Sequence, residues 1–483
     1  MNLYRPEQVQ AHERALFDGG VDSAALMEAA GAAAWAQIRA LAPAGGPIQV
    51  VVGPGNNGGD GLVIARLARA EGWPVRLFGI VALDAFRGDA ARQAAAWRAE
   101  DGEEIQNDPA ALAPEGVVVD ALFGIGLDRA IEGPAADWVT TIHRSGLPVC
   151  SVDVPSGLDA ATGRALGPTV RADRTVTFIA GKVGLFTGDG CEYAGQVILE
   201  RLEMPEPPVA AAARLDTDTP ALGRRHRNAH KGRFGTVLVL GGNAGMSGAA
   251  RLAGEGALRV GAGKVHVGTH PEHAAWLNQG CPELMVSAVA DERALLRLLG
   301  HADVLALGPG LGQDAWAMRM VRQALRVHLP MVVDADALRL IGNNRSIRQD
   351  IVFTPHPGEA GFMLDETPAV IQADRPSAAR RLQQTFGGVV VLKGTGTLVA
   401  GDEATMVCPA GNPGMASGGM GDVLTGVIAG LMAQGLDPFE AARLGVRAHA
   451  EAADAEVADR GERGLLASDL LPGIRRWING ADR

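Results

Sequence analysis

Asn56, Asn57 and Asp60 stand inside a run of glycines, GPGNNGGDG at 53–61, that follows an apolar stretch and opens a helical one. Glycines at such a junction let the backbone approach a pyrophosphate, whose charge the helix N-terminus favours. Gly53, Gly55 and Gly58 fit G-x-G-x-x-G, a weak signal by itself. A dinucleotide site also wants a carboxylate at the end of the next strand, where VALDAF offers only Asp84. A plain phosphate loop has no use for Asp60, although a glycine turn that merely caps a helix would tolerate it. Two further strand ends carry similar groups. GVVVD delivers Asp120 ahead of ALFGIGLDR, and VCSVDVPSG delivers Asp153 and then Ser156. Ligands of open parallel sheets sit outside the carboxyl ends of the strands, so the three loops are expected to converge. The oxygens of Asn57, Asp120 and Ser156 suit a hard cation rather than zinc.

A second stretch, NPGMASGGMGDVLTG at 412–426, runs a glycine-rich loop through Gly419, Gly421 and Asp422 into a helix. Successive N–H groups at a helix start form an anion hole, and a carboxylate at its lip can take a proton from a substrate hydroxyl. That combination permits phosphoryl transfer without a Walker motif. No G-x-x-x-x-G-K-[ST] occurs, and Lys182, Lys231 and Lys264 all lack that context. The plainer alternative is that Asp422 only caps its helix. Upstream, VVVLKGTGT places Lys393 and Thr395 at a strand end, TPHPGE supplies His356 and Glu359, and GPGLG (308–312) adds a backbone-rich turn.

These groups need a scaffold, and the alternation of patterns supplies one. After helical stretches in the first ~40 residues, Val/Ile-rich runs alternate with helical segments, as in parallel sheets covered on both faces. Strands are expected at 48–53, 75–82, 116–126, 148–157, 173–180 and 195–202. The alternation restarts at 236–242, 263–269, 302–310, 331–336, 350–355 and 389–397, and a final helical stretch begins at Gly421. Residues 201–220, rich in Pro, Ala and Asp and without period, read as a linker between two α/β domains. The chain has 483 residues, 47% hydrophobic and 20% charged, which is ample for two cores. Its net charge of −11 argues against a nucleic-acid partner. Four cysteines without C-x-x-C exclude a disulfide framework and a thiolate zinc site. With a polar N-terminus and no membrane-length apolar run, the expectation is a cytoplasmic protein.

GPGNNGGDG, VDALFGIG and DVPSGLD, in this order, closely resemble the NAD(P)H-hydrate epimerase domain, the YjeF N-terminal family, across residues 1–200. The resemblance implies a Rossmann-like three-layer α/β/α domain over 1–215 with a pocket for hydrated NAD(P)H. Asn56, Asn57, Gly58, Gly59, Asp60, the loop Gly124, Ile125, Gly126, Leu127, Asp128, Arg129 and Ala130, and Asp153 would bind that substrate. Asn57, Asp120 and Ser156 would hold potassium. Asp153 is then the leading acid/base, with Lys182 a second polar group near the site.

The motifs of the other half resemble the ADP/ATP-dependent NAD(P)H-hydrate dehydratase of the ribokinase-like superfamily. That implies a second three-layer domain over 222–483. Lys393, Gly394, Thr395, Gly396, Thr397 and Gly421 would meet the adenine nucleotide with Mg²⁺, and Ala249, Gly312, His356 and Asp422 would meet the hydrate. The fusion would epimerise (R)- and (S)-NAD(P)H hydrate and dehydrate the S form at the expense of ADP, giving AMP and phosphate. A homo-oligomer is expected, with no nucleic-acid or membrane partner. Two rivals stay open at this stage: a vitamin-type small-molecule kinase fused to a Rossmann-like domain, and a non-catalytic N-terminal scaffold. The first should yield a phosphorylated product without regenerating NADH. The second has no need for Asn57, Asp60, Asp120, Asp153 and Ser156 together.

Overall fold

The computed structural model describes residues 1–480 apart from residue 44, residues 219–221 and residues 343–347. They divide into two compact units, Met1–Arg214 and Leu215–Arg483. The end of the expected linker (219–220) and the last three residues of the expected second domain (481–483) lie outside the described residues.

The first unit runs β1 (Asn2–Tyr4), α1 (Pro6–Asp18), α2 (Ser23–Leu41), β2 (Ile48–Val52), α3 (Asn56–Ala70), β3 (Val75–Gly79), α4 (Gly88–Ala99), β4 (Val117–Ala121) and α5 (Pro134–Ser145). It continues through β5 (Val149–Val152), β6 (Arg174–Phe178), β7 (Gly181–Lys182), α6 (Gly190–Tyr193), β8 (Gln196–Glu200) and β9 (Ala213–Leu215). Six strands form a parallel sheet in the order β3-β2-β4-β5-β6-β8. The two-residue period of a strand sends alternate side chains to opposite faces. Val50, Val52, Val117 and Val119 pack with Trp35 and Ile38 of α2 and Leu62 of α3, while Val51 and Val118 meet Trp138 and Ile142 of α5. Both faces are therefore covered, and the strands read as continuous apolar runs.

Three expectations change. The N-terminal helical stretch is two helices parted at Gly19–Gly20, where Gly20 takes φ +99°, and it is preceded by a strand. The linker is not featureless, because β9 pairs antiparallel with β1, which runs parallel to β7. Three-residue strands are too short to show a period. The helix expected to open from the glycine run already begins within it, at Asn56, so Gly58 and Gly59 lie inside α3. A Cβ on Gly58 would sit 2.0 Å from the Gly53 carbonyl oxygen, and one on Gly59 2.8 Å from the Met27 sulfur. These glycines allow α3 to pack closely rather than forming an open phosphate loop.

The second unit runs β10 (Thr236–Leu240), α7 (Ser247–Arg259), β11 (Lys264–Thr269), β12 (Met285–Ala288), α8 (Glu292–Leu299), β13 (Val304–Leu307), α9 (Ala315–Ala324), β14 (Met331–Val333) and α10 (Asp336–Ile341). There follow β15 (Ile351–Phe353), α11 (Pro357–Leu364), α12 (Pro368–Ala373), α13 (Arg375–Phe386), β16 (Val389–Leu392), β17 (Leu398–Ala400), β18 (Thr405–Val407), α14 (Met420–Ala433), α15 (Pro438–Arg460) and α16 (Leu470–Ile478). The strand order is β12-β11-β10-β13-β14-β15-β16-β17-β18, parallel as far as β16 and antiparallel thereafter. VVVLKGTGT ends as a strand at Leu392, so KGTGT is a turn. The C-terminal helical stretch breaks between α14 and α15, and Gly435 in the break has φ +95°.

Helix α14 is apolar nearly all round and buried from Val423 to Met432. It approaches α7 closely because a Cβ on Gly426 would lie 1.8 Å from the Ala253 carbonyl oxygen. Gly426→Ala should therefore force the two helices apart and destabilise the second unit by about 2–3 kcal/mol. Calorimetry should show one transition lowered by several degrees; an unchanged melt would contradict this packing.

Candidate active sites

In each sheet the chain leaves a central strand for one neighbour and later returns to the other side. In the first unit this reversal falls between β2 and β4, in the second between β10 and β13. Loops at such a point diverge and leave a crevice beyond the strand ends.

In the first unit the crevice is a cavity of about 1090 Å³. Asn56, Asn57, Asp60, the whole Gly124–Ala130 loop and Asp153 line it, as expected from the sequence, whereas Gly58 and Gly59 do not. Asp153 follows β5 with φ +67°, a left-handed conformation that is costly for a residue other than glycine. Lys182 is buried, and its Nζ donates to Asp153 Oδ1 at 2.6 Å, Thr177 Oγ1 at 2.9 Å and the Phe178 carbonyl at 2.9 Å. The Ile125 N–H reaches Asp153 Oδ2 at 3.3 Å. Lys182, expected as a second polar group near the site, is the buried counter-charge of Asp153. Asp60 is pushed well above the usual carboxylate range, first by burial and then by the charges of Asp153 and Glu13.

The oxygens expected to hold potassium lie just behind that wall. Asp120 is fully buried and accepts from the Ser156 hydroxyl (2.6 Å), the Ser156 N–H (2.9 Å), the Ser151 hydroxyl (2.8 Å) and the Leu122 N–H (3.3 Å). The Phe123 N–H donates to Ser156 Oγ at 2.9 Å, which ties this set to the 122–124 turn. A Cβ on Gly124 would lie 3.3 Å from Asn57 Oδ1 and 3.2 Å from Asp153 Oδ2. Both polar atoms of the buried Asn57 side chain lack a hydrogen-bond partner, a state that costs about 1–3 kcal/mol if nothing fills it. An orphaned amide oxygen beside a buried carboxylate fits a hard monovalent cation.

In the second unit Lys393, just after β16, donates to Asp334 Oδ1 at 2.7 Å and lies 3.7 Å from Glu359 Oε2. The Thr425 hydroxyl on α14 donates to the other Asp334 oxygen at 2.7 Å. A Cβ on Gly421 would come within 3.3 Å of Lys393 Nζ, so Lys393 and Gly421 stand together as expected. Asp422, one residue on, has its carboxyl raised to about 7, first by burial and then by the charge of Asp334, with Lys393 pulling the other way. Lys393 is itself raised, because Asp334 and Glu359 outweigh its burial. The KGTGT turn is held from beneath by Arg375, which donates to the Lys393 and Leu392 carbonyls, while Thr397 Oγ1 caps the Gly394 carbonyl at 2.7 Å.

The residues expected at the hydrate lie on neighbouring loops. The Gly312 N–H donates to Asp336 Oδ2 at 2.8 Å, and Asp336 is among the charges felt by Asp422. Ala249 meets the same loop, 3.0 Å from where a Cβ of Gly310 would stand. His356 caps α11: its Nδ1 accepts from the Gly358 and Glu359 N–H groups, leaving Nε2 as the donor on a half-exposed ring. Asp334, Asp336, Thr425 and Glu13 were not singled out from the sequence. Asp334 carried a usable signal, a carboxylate at a strand end like Asp120 and Asp153; Glu13, one acid on an amphipathic helix, carried none.

The raised Asp422 sets a direction for stability. A carboxyl that binds its proton more tightly folded than unfolded favours the folded state at low pH, and that contribution is lost as pH rises toward about 7. Asp422→Asn should therefore raise the melting temperature at pH 8 by a few degrees and change it little at pH 4. Equal shifts at both pH values would refute the assignment.

Comparison with known proteins follows the same division. Residues 23–184 match the family described as YjeF-related protein N-terminus, and residues 237–476 match that described as NAD(P)H-hydrate dehydratase. A bifunctional NAD(P)H-hydrate repair enzyme of Coxiella burnetii is 43% identical over 99% of both chains. Its Escherichia coli counterpart is 41% identical over 94% of this chain and 89% of its own. A crystal structure of a hypothetical protein from Streptococcus mutans superposes with a TM-score of 0.50 at 29% identity, covering 54% of this chain and 95% of that one. With relatives of this identity aligned from end to end and both halves matched, the chain belongs to the bifunctional NAD(P)H-hydrate repair enzymes.

Proposed function

We propose that the first unit interconverts the two C6 epimers of hydrated NADH and NADPH, and that the second dehydrates the S epimer, consuming ADP. Hydration of the nicotinamide C5–C6 bond produces both configurations, and a stereospecific dehydratase uses one. Epimerisation returns the other to the productive pool. The same reading places the enzyme in the cytoplasm, where its four free cysteines persist as thiols.

Hydroxide is a poor leaving group, so the dehydration needs the C6 hydroxyl converted to a phosphate ester. The observation that carries this reading is Asp422, a carboxyl near neutrality in the first turn of a glycine-led helix beside Lys393. A base of that strength takes the hydroxyl proton at working pH. The α14 N-terminus and Lys393 face the charge of the transferring phosphoryl group. The ring nitrogen then expels phosphate, and loss of a C5 proton restores the dihydropyridine. Lys393, Gly394, Thr395, Gly396, Thr397 and Gly421 would hold the nucleotide, and Ala249, Gly312 and His356 the hydrate. Magnesium, when bound, would neutralise phosphate charge; it commonly takes only one or two carboxylates besides phosphates and water.

In the first unit Asp153, paired at 2.6 Å with Lys182, is the acid/base at C6. Potassium on Asn57, Asp120 and Ser156 would brace the Phe123–Gly124 turn against the substrate loop.

Asp422→Asn should lower dehydration by ~10²–10⁴-fold and leave epimer interconversion intact; near wild-type dehydration would remove the role of Asp422. Replacing potassium by tetramethylammonium should slow epimerisation but not dehydration of pure S epimer, and an unchanged epimerisation rate would refute the cation site. With ADP and Mg²⁺ supplied to mixed epimers, Asp153→Ala should recover dihydronicotinamide absorbance from the S fraction quickly and from the remainder only at the spontaneous rate. Adding residues 1–215 in trans should restore full conversion. Recovery of both fractions at one rate by Asp153→Ala would end the division of labour.

A further inference from the structure

The cavity of the first unit has a wall that the matched family segment, beginning at residue 23, does not include. Helix α1 supplies it, through Gln10, Glu13 and Phe17. Its placement follows from the strand before it: β1 pairs with β7 so that Tyr4 lies opposite Lys182. Val9 of α1 is buried, and His12 Nε2 meets the Pro205 carbonyl at 2.9 Å. The segment that positions Glu13 is thus bonded to the strand that carries the partner of Asp153.

Epimerisation at C6 needs two proton-handling groups. The hydrate is a hemiaminal, with hydroxyl and ring nitrogen N1 on the same carbon. If a base removes the hydroxyl proton, the C6=O bond forms and the C6–N1 bond breaks, its electron pair going to N1. An acid must deliver a proton there. Rotation about C5–C6 presents the other face of the aldehyde. N1 then re-attacks and returns its proton to the acid, while the base gives its own back to oxygen. The cycle is balanced and needs no further reactant.

Asp153, paired at 2.6 Å with Lys182, suits the base. We propose that Glu13, half-buried on α1 and facing the same cavity, is a further catalytic residue of the epimerisation, the acid that protonates N1 as the ring opens. The inference rests on the epimerase reading of the first unit. Burial raises the Glu13 carboxyl, as does the Asp153 charge, while Lys182 and Arg14 pull it down. Asp60 is the third carboxyl of the group, in the first turns of α3, and lines the same cavity.

The test follows interconversion of separated epimers by the full chain without nucleotide, in potassium buffer. Glu13→Gln should lower kcat by ~10²-fold or more with KM changed less than threefold and the melting temperature preserved, as expected for loss of a positioned acid. Glu7→Gln, on the exposed side of the same helix, should behave as wild type. If Glu13→Gln does not fold, Glu13→Asp, which keeps the proton on a shorter arm, should still lose at least tenfold. A wild-type kcat in either Glu13 variant, or a loss confined to KM, overturns the proposal. A wild-type chain that failed to interconvert the epimers would instead remove the epimerase reading, and this proposal with it.

Discussion

A carboxylate carried out of a parallel strand into a protein interior must find compensation, and how each one does so organises both halves of this molecule. An unpaired buried charge is far too costly to keep, so the group is paired, hydrogen-bonded or protonated. Asp120 takes hydrogen bonds from Leu122, Ser151 and Ser156. Asp153 takes Lys182, and Asp334 takes Lys393 and Thr425. Asp422 is only partly compensated: burial and then the Asp334 charge push its carboxyl up to about 7, with Lys393 opposing them.

Close backbone approach is the second requirement. Charges at strand ends meet helix N-termini only if α3 and α14 lie tight against their sheets and partner helices. Gly61 admits Ala121 and Val52 beside α3, and Gly426 admits the backbone of α7 beside α14. Much of the glycine that resembles a phosphate-binding signature therefore serves packing. The residues between those glycines, Asn56, Asn57 and Asp60, are the ones that line the cavity of the first unit.

The two sites face different problems. In the first, three carboxyls (Asp60, Glu13 and the lysine-paired Asp153) share one cavity, which suits the ring opening and closing proposed above. In the second, Lys393 and the N-terminus of α14 stand beside one raised carboxyl, which suits the phosphoryl transfer proposed above. The first site lies where strand order reverses, whereas the second extends from that point along the ends of β13 to β16.

Motif order, parallel-strand pattern and most residues of the candidate sites were legible in the chain because they obey local rules: glycine before a helix, a carboxylate after a Val/Ile run, oxygen donors in oxygen-rich loops. Asn57, Asp120, Asp153, Lys393 and Asp422 announced themselves by position alone. Tertiary structure decided what depends on neighbours distant in sequence. Lys182 became the counter-ion of Asp153 across 29 residues, and Asp334 the hub for Lys393 and Thr425 across 59 and 91. Glu13 reached the cavity because β1 pairs with β7, and three residues of the expected linker, Ala213–Leu215, form a strand that pairs with the other edge of β1. Charge and strand pairing act through space, and a one-dimensional pattern records the groups but not which of them will be brought together.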